Sequence, residues 1–293
     1  MNPRKRLKEL FTRKRLLVAP GAFDGLSARL VEEAGFEAVY LSGGAVARSM
    51  GVPDIGLLTM SEVIERAVQV VSVVKIPVIA DADTGYGNAL NLVRAVREFE
   101  RAGVAAIHIE DQATPKRCGH LEGKEVISLP EMEKKLEAAL ASRSDPSFAI
   151  IGRTDARAIH GLKDAIRRGK SFARLGVDAV FVEAPESETE LETIARSLPE
   201  VPLMVNMFKG GKTPLLPASR LEKMGFRIAI FPSESQRAAI YAMREALQLL
   251  KRDGSTEAMD SRLATFKERD RIVGLDEWQQ LEEKYLKSVV EKK

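Results

Sequence analysis

The chain has 293 residues, 45% hydrophobic and 30% charged, with 45 basic against 42 acidic side chains for a formal charge of +3. This mix excludes a disordered segment, a collagen and a disulfide scaffold, and at roughly 150 residues per domain it allows two domains or one large barrel. A charge so close to neutral, with aromatics at 5% and no basic stripe, argues against a nucleic-acid-binding role.

The basic excess gathers at the start, in Arg4, Lys5, Arg6, Lys8, Arg13, Lys14 and Arg15. Glu9 interrupts that run and no small-residue cleavage site follows, so a solvated first helix is expected rather than a signal or transit peptide. The longest apolar run, Ala67–Val74, is broken by Gln69 and Ser72 and falls short of the ~18 residues a membrane span needs. One cysteine cannot form an intrachain disulfide, which fits a reducing compartment, and a soluble, cytoplasmic protein is expected.

From residue 16 onward short Val- and Ile-rich runs alternate with longer amphipathic stretches. The runs are LLVAP (16–20), AVYLSG (38–43), PVIADAD (77–83), AAIHIED (105–111), FAIIGRTD (148–155), AVFVEA (179–184), PLMVNM (202–207) and IAIFP (228–232). Short, mostly apolar runs without strict alternation describe strands buried on both faces, as parallel strands are. Val93, Val96, Phe99 and Gly103 mark one intervening helix, and Ile166, Phe172 and Leu175 another. Gly35, Gly103, Gly176 and Gly225 each close a helix before the next strand, the place for a left-handed stop.

Eight strand-then-helix units predict a (β/α)8 barrel. No G-x-G-x-x-G turn follows the first strand, which counts against a Rossmann fold. The barrel is assigned to residues 1–253 and a helical extension to 254–293. Leu275, Trp278, Leu281 and Tyr285 form an apolar stripe in that extension, fit to pack on the barrel or on a partner subunit.

Polar residues recur at the C-terminal ends of the runs: Ser42; Asp81 and Asp83; His108, Glu110 and Asp111; Arg153 and Asp155; Glu183; Asn206; Ser233 and Glu234. In a parallel barrel these ends share one rim, where such barrels carry their active sites. Asp81 and Asp83 alternate with Ala82, so strand geometry sends both to one side. Paired carboxylates repel unless a cation or proton relieves them, and with Glu110 and His108 two apart on the next strand the cluster suits a hard divalent ion, Mg²⁺ or Mn²⁺. PKRCGHLEGK (115–124) is a loop in which Cys118 sits among Lys116, Arg117 and His120, a setting that lowers a thiol pKa and suits a lid over an anionic substrate. SGG (42–44) offers closely spaced backbone N–H groups for a carboxylate or phosphate, and Arg153 and Arg237 can each fork a carboxylate. His160 is expected on an exposed helix start, without a role.

Taken together, GAFDGLSARL (21–30), YLSGG (40–44), DADTGYGN (81–88), IEDQ (109–112), KRCGH (116–120), GRTDA (152–156) and GGKTP (210–214) resemble the isocitrate lyase / phosphoenolpyruvate mutase superfamily, and within it the short methylisocitrate lyase type. The resemblance implies a Mg²⁺-dependent barrel that cleaves a C–C bond in a 2-hydroxy di- or tricarboxylate. By that resemblance Asp81 and Asp83 hold the metal, directly or through water, with Asp54 and Glu110 nearby. Ser42, Gly43 and Gly44 cradle a pyruvate-like carboxylate, and Gly119, His120, Arg153, Glu183, Asn206 and Arg237 contact substrate. Cys118 is the acid on a gating loop, Arg153 steadies the departing enediolate, and the candidates for the proton-accepting group are Glu110, with His108 beside it, and a metal-bound hydroxide. The family's tetramers, with C-terminal helices exchanged between subunits, would account for the Trp278 stripe.

Phe181 before Glu183 matches the methylisocitrate type, which places 2-methylisocitrate ahead of 2,3-dimethylmalate as substrate. Phe208 stands where that type usually carries threonine, and NMFKGG (206–211) looks closer to the dimethylmalate branch. Oxaloacetate decarboxylases and phosphonate mutases follow as alternatives, although those branches generally lack the loop cysteine. A non-catalytic scaffold would predict gaps in the rim, and there are none.

Overall fold

The computed structural model describes residues 2–119 and 123–287. All eight predicted strands form: β1 (Leu17–Ala22), β2 (Val39–Leu41), β3 (Val78–Asp81), β4 (Ala106–Glu110), β5 (Ala149–Thr154), β6 (Ala179–Val182), β7 (Leu203–Asn206) and β8 (Ile228–Phe231). Each pairs in parallel with the next, and β8 returns to β1, closing the barrel. The helices are α1 (Pro3–Thr12), α2 (Gly25–Glu33), α3 (Gly43–Ser49), α4 (Met60–Val71), α5 (Ala89–Arg101), α6 (Leu129–Ser142), α7 (Arg157–Leu175), α8 (Glu188–Ser197), α9 (Ala218–Met224), α10 (Glu234–Asp253), α11 (Phe266–Ile272) and α12 (Leu275–Glu282). The chain divides into two compact units, Met1–Gln236 and Arg237–Lys293. Among the described residues no helix is long and apolar enough to cross a membrane.

Each strand sends alternate residues to two cores. Val78, Ala80, Ile107, Ile109, Ile150 and Val180 face outward and pack with the helices through Val63, Leu92, Phe99, Leu136 and Phe172. Leu17, Tyr40, Ile79, Ala106, Ile151, Phe181, Met204 and Ile230 face the barrel axis. Gly35, Gly103, Gly176 and Gly225 all have the left-handed backbone, φ 82, 84, 88 and 108°, expected where a helix stops before a strand.

The first helix departs from expectation. Leu7, Leu10 and Phe11 of α1 are buried in the axial core, so this helix plugs the N-terminal end of the barrel. Three of its basic residues, and Arg13 just after it, are tied down: Arg4 pairs with Asp145 (3.1 Å), Arg6 and Arg13 with Glu37 (2.8 and 2.6 Å) and Lys8 with Asp178 (2.7 Å). Charge composition alone could not distinguish these partners from water. In the second unit Leu275, Trp278, Leu281 and Tyr285 are exposed, Trp278 at 67%.

Candidate active site

The inward rows of the barrel become polar at their last members. Ile79 is followed two residues on by Asp81, Ala106 by His108 and Glu110, Ile151 by Arg153, Phe181 by Glu183, Met204 by Asn206 and Tyr40 by Ser42. Strand register sets Asp81 beside His108, Glu110 beside Arg153, and Arg153 beside Phe181. All of these polar residues but Asn206, which is half-buried, are buried. Apolar layers fill the barrel below them, so any polar chemistry is confined to the rim.

Asp81 and Asp83 do come together, though not by strand alternation. β3 ends at Asp81, and Asp83 sits in a turn with φ 48° while its N–H donates to Asp81 Oδ1 at 2.9 Å. None of the rim carboxylates caps the helix that follows: Asn88 caps α5 and Ser128 caps α6. A cation does stand among them. Lys116 Nζ lies 2.5 Å from Asp54 Oδ1 and 2.6 Å from Asp83 Oδ1. Burial opposes the charge on Lys116, but Asp83, Glu110, Asp81 and Asp54 outweigh it and hold the ammonium protonated. Burial, then the charge of Asp81, pushes the Asp83 carboxyl up to about 6 even with Lys116 beside it. Burial likewise raises Glu110 well above the usual carboxylate range. Lys116 looked in the sequence like one more basic loop residue, and only the folded loop sets it among carboxylates.

Arg153 is fixed from three sides. It donates to Asp155 from Nε (2.9 Å) and Nη2 (3.3 Å), pairs with Glu110 Oε2 at 3.1 Å and lies over the Phe181 ring at 5.2 Å. Burial would raise the Asp155 carboxyl, yet the charges and hydrogen bonds of Arg153 and Lys124 hold it down at about 2. Lys124 Nζ is 2.9 Å from Asp155 Oδ1 and also donates to the Gly119 carbonyl, tying the cysteine loop to the same carboxylate. His108 is fully buried behind the site. Burial lowers it to about 4, leaving a neutral imidazole whose Nε2 meets Tyr40 OH at 2.8 Å.

These residues surround a small cavity lined by Tyr40, Ser42, Gly44, Arg48, Asp54, Asp81, Lys116, Arg117, Cys118, Gly119, Arg153, Phe181, Glu183, Asn206, Phe208, Ile230, Pro232 and Ser233. Of the predicted site residues, Gly43, Asp83, His108 and Glu110 stand behind that wall. Arg237 lies on α10 in the second unit, and His120 falls outside the described residues. Asn206 Nδ2 donates to Glu183 Oε1 at 3.3 Å. Ser42 caps α3, and its two glycines are required by close approach: a Cβ on Gly43 would sit 2.8 Å from Asp81 Oδ2, and one on Gly44 2.7 Å from Asp54 Oδ2. Tyr40, Arg48, Ile230 and Pro232 were not singled out from the sequence. Inward phase on their strands was the available signal for Tyr40 and Ile230.

Among the described residues no group of three His, Cys, Asp or Glu side chains is gathered tightly enough to hold a metal by itself. Magnesium makes no such demand, since it keeps several waters and takes one or two protein carboxylates. Glu110 Oε1 is buried without a hydrogen-bond partner. Together with Asp81, Asp83 and Asp54 it makes an all-oxygen donor set that fits a hydrated Mg²⁺.

The phosphoenolpyruvate phosphomutase family model matches residues 7–251. The chain belongs to this family. It is an oxo-acid lyase of the superfamily that joins these mutases to the isocitrate lyases. It is 43% identical to 2,3-dimethylmalate lyase of Eubacterium barkeri over 97% of this chain and 99% of that one. It is 40% identical to 2-methylisocitrate lyase of Halalkalibacterium halodurans over 97% and 94%. Among solved structures, a phosphonopyruvate hydrolase bound to oxalate and Mg²⁺ superposes with a TM-score of 0.90 at 33% identity, covering 98% of this chain and all of that one. Members of the superfamily thus bind Mg²⁺ and small carboxylates.

Proposed function

We propose that this family member cleaves the C2–C3 bond of a branched 2-hydroxy dicarboxylate of the 2,3-dimethylmalate type, giving pyruvate and propionate. The observation that carries this choice is the apolar lining of Phe208, Ile230 and Pro232, suited to methyl groups. Asp81 and Asp83, with Asp54 and Glu110 behind them, are the residues that would hold Mg²⁺. The ion would supply positive charge at the substrate's hydroxyl and adjoining carboxylate.

The chain's own residues carry the proton and charge changes. Ser42, Gly43 and Gly44 at the start of α3 receive the carboxylate that ends up in pyruvate. Tyr40, braced by neutral His108, lines the same region. Glu110, its basicity raised by burial, stands behind the cavity wall and would take the hydroxyl proton through an intervening water. As the bond breaks, the electron pair moves onto the fragment bearing the second carboxylate, where Arg153, oriented by Asp155, meets the enediolate charge. Cys118, on the loop over the cavity, returns a proton to that carbon. Glu183, Asn206 and Gly119 border the departing fragment.

A second reading, 2-methylisocitrate cleaved to pyruvate and succinate, draws on the four cationic residues of the cavity, Arg48, Lys116, Arg117 and Arg153. A third carboxylate would meet that positive charge. Coupled assay of pyruvate release from the two substrates, and from oxaloacetate, decides the matter. Turnover of dimethylmalate at a higher kcat/KM supports the first reading. Turnover of oxaloacetate alone rejects both. The exposed stripe around Trp278 supports a homotetramer with exchanged C-terminal helices, which light scattering would show at four times the 32.2 kDa chain mass.

A further inference from the structure

We propose that Lys135 is a positioning residue for the divalent metal, acting through the backbone of the loop that carries Asp83. This inference rests on the reading that Asp81 and Asp83 hold the ion. Lys135 belongs to α6, whose other inward residues are Met132, Leu136 and Ala139, and it is only 4% exposed. Lysine is seldom buried without a carboxylate. Here, among the described residues, no acidic side chain pairs with it. Its Nζ instead donates to two backbone carbonyls, Thr84 O at 2.7 Å and Gly87 O at 2.9 Å.

The loop so held is unusual. Asp83, Gly85, Tyr86 and Gly87 have φ of 48, 81, 59 and 142°. For Asp83 and Tyr86 the left-handed region costs energy and persists only where surrounding contacts impose it. Space forbids simple relief. A Cβ on Gly85 would lie 2.7 Å from Leu92 Cδ1, and one on Gly87 2.4 Å from Asn91 Oδ1. Two further bonds fix the turn, from Gly85 N–H to Ala82 O (2.8 Å) and from Glu110 N–H to Asp83 O (2.9 Å). The ammonium thus clasps both ends of the Thr84–Gly87 turn directly after Asp83. Without it two carbonyls lose their donor, and the turn that points the Asp83 carboxylate at the rim loses its brace. Nothing in DADTGYG itself reveals this, because the clasp comes from a helix about 50 residues later.

The test titrates Mn²⁺ against the full-length protein by electron paramagnetic resonance, with amide exchange across residues 83–88 followed alongside. Lys135→Met keeps the apolar stem and removes the donors. We expect it to raise the Mn²⁺ Kd about 10- to 100-fold, the usual effect of losing an outer support. Amides of 85–88 should exchange faster, and Lys135→Arg should recover much of the affinity. A Lys135→Met protein that binds Mn²⁺ with the wild-type Kd overturns the proposal, whatever its Tm. Should that variant fail to fold, Lys135→Gln, too short to reach both carbonyls, carries the same test with the same overturning result. Wild-type protein that binds no Mn²⁺ removes the metal reading itself, a different failure from an unchanged Kd.

Discussion

Gly43→Ala should separate stability from function. Gly43 opens α3 with ordinary helical backbone, so alanine meets no conformational barrier there and gains up to about 1 kcal/mol of helix propensity. The added Cβ, however, would lie 2.8 Å from Asp81 Oδ2 and 3.1 Å from its Cγ, about 0.6 Å inside ordinary contact. The carboxylate must yield, since the alternative is to shift a helix packed on the barrel. Catalytic groups tolerate about 0.5 Å of error, and a displacement near 1 Å costs on the order of 100-fold. We therefore expect Tm to stay within a few degrees of wild type or rise, while Mg²⁺ affinity and kcat/KM fall 10- to 100-fold. Isothermal titration with Mg²⁺, pyruvate-release kinetics and thermal melts measure the three quantities. Wild-type Mg²⁺ affinity and kcat/KM in a folded Gly43→Ala protein would refute the placement of Asp81 at the working metal site.

Four further outcomes follow from the same geometry. Cys118→Ser should keep the fold and lower pyruvate release roughly 100-fold or more, the loss of a positioned acid; equal turnover would remove the thiol from the reaction. Phe208→Thr should shift the ratio of kcat/KM toward methylisocitrate by about 10- to 100-fold, since one pocket contact decides between an apolar and a hydrogen-bonding wall; steady-state kinetics on both substrates reads it. Leu10→Ala should cost about 2–5 kcal/mol by opening a cavity in the plug of the barrel, measured by urea unfolding, against less than about 0.5 kcal/mol if α1 were a solvated appendage. Asp155, held at about 2 in the fold, binds protons more readily when unfolded, so its stabilisation is complete above about pH 4 and lost as pH falls from there toward 2. It amounts to about 2 kcal/mol, so unfolding of Asp155→Asn should differ most from wild type at about pH 5, with the pH-dependent part of the difference shrinking to about half by about pH 3 and largely gone near about pH 2.

Much of this protein was legible before it was folded. Buried parallel strands announce themselves as short Val- and Ile-rich runs, and eight of them in 293 residues leave little besides a closed barrel. Because a barrel puts every strand's C-terminal end on one rim, the polar residues closing those runs, Ser42, Asp81, Arg153 and Glu183 among them, could be assigned to one site with no coordinates at all. What the linear order could not supply is the partner of each charge. A lysine in a loop, in a helix or in an N-terminal basic run is the same letter, yet Lys116 neutralises Asp54 and Asp83, Lys135 clasps a turn, and Lys8 pins α1 to Asp178. Asp83 reaches Asp81 through a left-handed turn that strand alternation does not describe, and His108 stands behind Tyr40 instead of at the cavity wall. Periodicity is a local property, set by each residue's own backbone, and so the sequence alone determined which elements form and which ends face the site. Charge pairing and desolvation depend on what closes around a side chain from distant parts of the chain, and only the tertiary structure decided them.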